Sequence, residues 1–148
     1  MGHHLAAMVL AFDARAATRD VDALFEPDGH FIDAACEVAE ALKLPRSWLN
    51  NHASSYVSGR AGRGTPVFDH ANLRVMTTPP EHLLAMKVRA ARAVRDADDV
   101  NILLRHLDIT TLAEVVEIVG RYFPEDPISD RSRQFVEDIL DQREGTTE

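Results

Sequence analysis

The hydrophobic pattern of this 148-residue chain changes period several times, and each change marks an element. Residues 3–14, HHLAAMVLAFDA, are apolar almost all round and contain no breaker, which predicts a buried helix. TRDVDALF then alternates, with Val21, Ala23 and Phe25 on one face and Asp20, Asp22 and Leu24 on the other, the period of a strand. EPDGH is a turn by composition. From Phe31 to Leu42 the apolar positions Ile32, Ala35, Cys36, Ala39 and Leu42 recur at helical spacing, giving a second amphipathic helix.

Pro45 ends that helix, and the next thirty or so residues are poorer in pattern. Gly59, Gly62 and Gly64 with Arg60 and Arg63 make a flexible basic loop, and short strands are expected at 55–57, 67–68 and 73–76. TPPE offers Thr78 as an N-cap, Pro79 at the first helical position and Glu81 as the partner of a capping box, opening a helix that runs to about Arg95. Asp96 is placed to cap DADDVNILLRHL, and Thr111 with Glu114 forms a second capping box before LAEVVEIVGRYF. Pro124 and Pro127 stop that helix, and SRQFVEDILDQRE is a last amphipathic one. The expected fold is α+β, with an α/β part over residues 1–77, a small mixed sheet flanked by helices, followed by a helical part over 78–148, the two packed as one compact unit.

Composition narrows the function classes. Hydrophobic residues make 45% and charged residues 27% of the chain, and no apolar run approaches the ~20 residues of a membrane span, so no membrane partner is expected. LAAMVLAF lacks the basic flank and small-residue cleavage site of a signal peptide, which places the protein in the cytoplasm as an expectation. A formal charge of -8 has the wrong sign for gripping nucleic acid by non-specific phosphate contacts alone. The single Cys36 has no partner for an internal disulfide and reads as a small core residue. There is no H-E-x-x-H, paired C-x-x-C, P-loop or G-x-S-x-G, and the histidines beyond His3 and His4 lack ligand spacing.

Three clusters could carry chemistry. Asp20 and Asp22 share a strand face with Cα atoms about 7 Å apart, close enough to ligate one divalent cation; a solvated acidic strand face explains the same spacing. Oxygen donors on a hard cation point to Mg2+ or Mn2+. Lys87 falls on the apolar stripe of its helix with Leu83, Leu84, Val88, Ala91 and Val94. It either covers apolar surface with its stem or meets an anion, a phosphate or a carboxylate, since an unpaired buried ammonium is expensive. RDADD then places Asp96, Asp98 and Asp99 at a helix start, more carboxylates than a cap requires.

The runs RAATRDVDALF, LPRSWLN and LLAMKVRAARAVRDADDVNILL, in this order, resemble an uncharacterised bacterial group of the polymerase-beta-like nucleotidyltransferase superfamily, akin to AbiEii-type toxins. The likeness covers about residues 5–125. It implies a nucleotidyltransferase-type sheet and a metal-dependent enzyme that moves a nucleoside monophosphate from an NTP to a hydroxyl on RNA, such as tRNA, or on protein. Asp20 and Asp22 would hold the metal, with Thr18 and Arg19 beside them at the nucleotide. Lys87 matches the superfamily's helical lysine, and Arg95, Asp96 and Asp99 its downstream acidic motif. The superfamily's triphosphate is cradled by a Gly-Gly or Gly-Ser turn after a first strand. Gly2 is the candidate for that turn here, somewhat farther from Asp20 than the pattern has it. Trp48, Leu49 and Asn50 match the group's W-L-N, in which Trp48 is read as a packing residue. The resemblance further implies a cognate toxin or antitoxin, or a phage-defence pair. An unpaired N-terminal sheet edge would suit a homodimer. A catalytically weakened relative that binds a nucleotide or a partner is the alternative the same residues allow.

Overall fold

The computed structural model describes residues 21–24, 28–51, 57–60, 62, 64–90 and 96–145. The helix expected over 3–14 and residues 55–56 of the strand expected at 55–57 lie outside them, and Val57 is not in a strand. The chain divides into two compact units, residues 1–57 and 58–148, both within a mixed α+β architecture.

In the first unit β1 (Val21–Asp22) pairs in parallel with β2 (Leu49–Asn50), Val21 opposite Leu49 and Asp22 opposite Asn50. Parallel strands need a crossover, and α1 (Asp28–Leu42) supplies it. The Val21 N–H donates to the Trp48 carbonyl at 2.6 Å and the Ala23 N–H to that of Asn50 at 2.9 Å. Trp48 is half-buried, and its indole N–H donates to the Ala35 carbonyl at 2.9 Å, tying the start of β2 to the crossover helix. The buried stripe of α1 is narrower than its apolar pattern: Ala35 and Ala39 are buried, Cys36 is half-buried, and Ile32 and Leu42 are exposed.

α1 ends in a Schellman motif. The Leu44 N–H donates to the Ala39 carbonyl at 2.9 Å and the Lys43 N–H to that of Glu40 at 3.5 Å, with Lys43 left-handed at φ 55°.

The second unit begins with a hairpin, β3 (Thr65–His70) antiparallel to β4 (Leu73–Thr77), where short strands are expected from the sequence. A bulge between Pro66 and Phe68 shifts the register, and Asp69 faces Arg74 across the strands in an exposed 3.1 Å ion pair. Gly64, just before β3, runs so close to β4 that an added Cβ would overlap the Thr77 carbonyl.

Four helices follow: α2 (Pro80–Ala90), α3 (Ala97–His106), α4 (Leu112–Tyr122) and α5 (Asp130–Glu144). α2 is central, buried continuously from His82 to Val88 and packed on α3, α4 and α5. The core is made of Leu83, Leu84 and Val88 of α2, Val100, Leu103 and Leu104 of α3, Val115 and Val119 of α4, and Val136 of α5.

Two caps depart from expectation. The first helical bond of α2 runs from the Leu83 N–H to the Pro79 carbonyl, so Pro79 is the N-cap and Pro80 the first helical residue. Thr78 is therefore outside the helix, and Glu81 pairs with Arg121 of α4 at 2.7 Å instead of closing a capping box. Asp96 is the N-cap of α3, but its side chain makes no cap hydrogen bond. The Thr111–Glu114 box of α4 is complete, and the Thr111 hydroxyl, then the Thr110 and Thr111 N–H groups, hold the Glu114 carboxyl below its ordinary range.

α3 closes with a second Schellman motif, in which the Ile109 N–H donates to the Leu104 carbonyl at 2.9 Å and the Asp108 N–H to that of Arg105 at 3.2 Å. Buried Ile109 follows, its carbonyl accepting from Arg143 of α5 at 3.0 Å. Asp108 sits at φ 55°, a conformation glycine adopts without steric cost. Asp108→Gly is expected to raise the unfolding free energy by about 0.5–1 kcal/mol, read as an upward shift in urea midpoint at constant slope.

Candidate functional site

α2 is buried on nearly every face, so the ammonium group of Lys87 cannot reach water by extending its stem. The fold meets it with carboxylates. Its Nζ donates to Asp99 Oδ2 at 2.8 Å and lies 3.6 Å from Asp96 Oδ1. The Lys87 and Asp99 side chains are only 4% and 3% exposed, and Asp96 is 26% exposed. The two carboxylates come from the N-cap and the first turn of α3, where the helix dipole favours negative charge. The Asp96 side chain approaches Lys87 and makes no cap hydrogen bond. Of the two anions the sequence left open for Lys87, the structure supplies the carboxylate.

Asp98, between the two, points to solvent and stands apart from the cluster. Arg95, the remaining member of the R-D-x-D-D run, lies outside the described residues. So do Gly2, Thr18, Arg19 and Asp20. Of the D-x-D pair, the described backbone places Asp22 in β1, extended as its alternation predicts and in register with Asn50 of β2. Asn50 therefore occupies the neighbouring position on the parallel strand, with its Nδ2 donating to the Ser47 carbonyl at 3.4 Å. By residue type alone, an aspartate and an asparagine offer oxygen donors of the kind hard cations take. Among the described residues no group of three or more His, Cys, Asp or Glu side chains is arranged to hold a metal ion.

The sequence pattern gave no weight to His82. It is fully buried on α2, and its Nε2 accepts from the Ser58 N–H at 3.1 Å. Burial lowers its pKa below the ordinary 6.5. Its signal was its position, between Glu81 and Leu83 at the start of a helix with an apolar stripe, and not any ligand-like spacing.

Comparison of the chain with protein-family models, with curated proteins and with solved structures gives no match. No helix among the described residues is long and apolar enough to cross a membrane.

Proposed function

We propose that the protein is a metal-dependent nucleotidyltransferase that moves a nucleoside monophosphate from an NTP to a hydroxyl on RNA or protein, as one member of a toxin–antitoxin or phage-defence pair. The observation that supports it most is the cluster of Lys87 with Asp99 and Asp96. These three belong to the ordered set of motifs that carries the resemblance, and the Lys87 ammonium meets two carboxylates of the next helix, one of them buried with it. The extended backbone at Asp22, next to Asn50, adds an oxygen-rich strand edge.

In this reading Asp20 and Asp22 hold Mg2+ or Mn2+, which when bound supplies charge neutralisation at the α-phosphate and orientation for the attacking hydroxyl. Thr18 and Arg19 lie beside the nucleotide, and Gly2 is the candidate for its phosphate-binding turn. Lys87 steadies phosphate oxygens, and Asp99 fixes the position from which it does so. The transfer joins the hydroxyl oxygen to the α-phosphorus as the bond to pyrophosphate breaks.

One observation favours a second reading, a catalytically weakened binding module. The Lys87 ammonium is almost wholly buried and engaged by Asp99, so a phosphate must displace or join a carboxylate already in place. Incubation with each labelled NTP, Mg2+ and total tRNA or a candidate partner protein tests the first reading: an acceptor becomes labelled, and the combined Asp20→Ala and Asp22→Ala variant loses the signal by about a hundredfold or more. Absence of labelling with every NTP overturns the enzyme. A rise in melting temperature with Mg2+ and nucleotide then supports the module, by mass action on the folded state.

A further inference from the structure

Ser58 opens a glycine- and arginine-rich stretch of the sequence, and it is firmly held. Ser58 is buried, and its N–H donates to His82 Nε2 at 3.1 Å. Its hydroxyl donates to the Tyr122 carbonyl at 2.6 Å and accepts from the Arg60 N–H at 3.0 Å. His82 has no exposed surface, and its ring packs against those of Tyr122 and Phe123, with centroids 5.0 and 6.1 Å away. Because Nε2 accepts, the neutral ring carries its proton on Nδ1, which is buried without a hydrogen-bond partner among the described residues. A phenylalanine would fill the same space without that orphaned donor. What the imidazole adds is an acceptor for Ser58, and one that a proton can remove.

We propose that His82 is a proton-operated latch: its neutral ring holds the Ser58 N–H, and with it the turn carrying exposed Arg60, to the helical core, and protonation at Nε2 breaks that bond and loosens them.

The charged groups on the surrounding elements are largely paired with one another. Glu81 and Arg89 stand on α2, Glu117 and Arg121 on α4, and Asp126 follows Phe123. Glu81 pairs with Arg121 at 2.7 Å, Glu117 lies 3.5 Å from Arg121, and Arg89 pairs with Asp126 while its guanidinium covers the Phe123 ring at 3.9 Å. Lys87, farther along α2, is paired with Asp99. Arg60, on the latched segment itself, has no ion pair among the described residues. Burial is thus what weakens the proton affinity of His82, and the latch stays closed at neutral pH. The stability the neutral ring contributes is present in full above its unfolded value of 6.5, and is lost as the pH falls through the lower folded value.

NMR of the labelled full chain follows the His82 imidazole and the Ser58 amide together as the pH is lowered from neutrality. His82 should titrate below 6.5. The Ser58 amide should move with the same midpoint and exchange about tenfold faster, after correction for intrinsic rates, once His82 is charged. His82→Gln keeps an acceptor that does not titrate, so its Ser58 amide should stay protected across the range. His82→Phe keeps the packing without the acceptor and should show the released state already at neutral pH. Continued protection of Ser58 through the His82 titration overturns the proposal. So does a His82 titration at or above 6.5, or unchanged pH-dependent release in His82→Gln.

Discussion

Asp99→Ala is expected to cost about 3 kcal/mol of folding stability, seen as a lower urea midpoint at unchanged slope. The substitution leaves the Lys87 ammonium, 4% exposed, without its 2.8 Å partner in a helix that offers no path to water. The loss falls at the lower end of the range for breaking a buried pair because Asp96 remains 3.6 Å away. Lys87→Met should also destabilise, since it removes the ammonium that the buried Asp99 carboxylate is paired with. Combining Lys87→Met with Asp99→Leu should restore most of the loss, because apolar replacement of a whole buried pair is often neutral or better. If the double variant is as unstable as the two singles added together, the side chains are not coupled and the pair does not hold α3 to α2. A stable double variant also separates structure from chemistry. It folds without the lysine, so loss of nucleotide binding in it reports on Lys87 as a phosphate ligand.

Leu103→Ala should destabilise the helical unit by about 2–5 kcal/mol. Leu103 has no exposed surface and lies beside Leu104 and Val100, which are equally buried, on α3, a helix packed on α2 and α5. The lost transfer energy is compounded by a cavity, since four packed helices cannot all close on the vacant space. Leu42→Ala serves as the control. That leucine, at the end of α1, is 66% exposed, and its truncation should stay within about 0.5 kcal/mol. A comparable loss at the two positions would mean that the helical core does not carry the stability assigned to it.

The features legible in the sequence were the local ones. The helical period located α1 and the four C-terminal helices, and the Thr111–Glu114 box was readable because both partners lie within one turn. The same kind of reading found Asp96 as the N-cap, but not that its side chain makes no cap bond and lies 3.6 Å from Lys87, a neighbour brought in by tertiary packing. At α2 two consecutive prolines satisfied the same start signal, and the first backbone bond chose the second as the first helical residue. The chemical need of Lys87 for an anion followed from its place on an apolar stripe; which anion depended on how α2 and α3 pack. Nothing in the alternation of TRDVDALF named its neighbour, because parallel pairing with W-L-N is decided across the whole α1 crossover. His82 escaped notice because its role rests on a single backbone N–H from Ser58, a contact with no sequence signature.

The parallel pairing of β1 with β2 also orders events in time. Val21 can meet Leu49 only after the intervening chain has closed a loop, whereas the β3–β4 turn and each of the C-terminal helices form from near neighbours. Contacts between distant residues form late and set the pace of folding. The strand carrying Asp22 is therefore expected to join its partner only after α1 and its Schellman end have shortened the span. A substitution that frays α1, far from any chemistry, should slow the assembly of the acidic strand edge more than it weakens the finished fold.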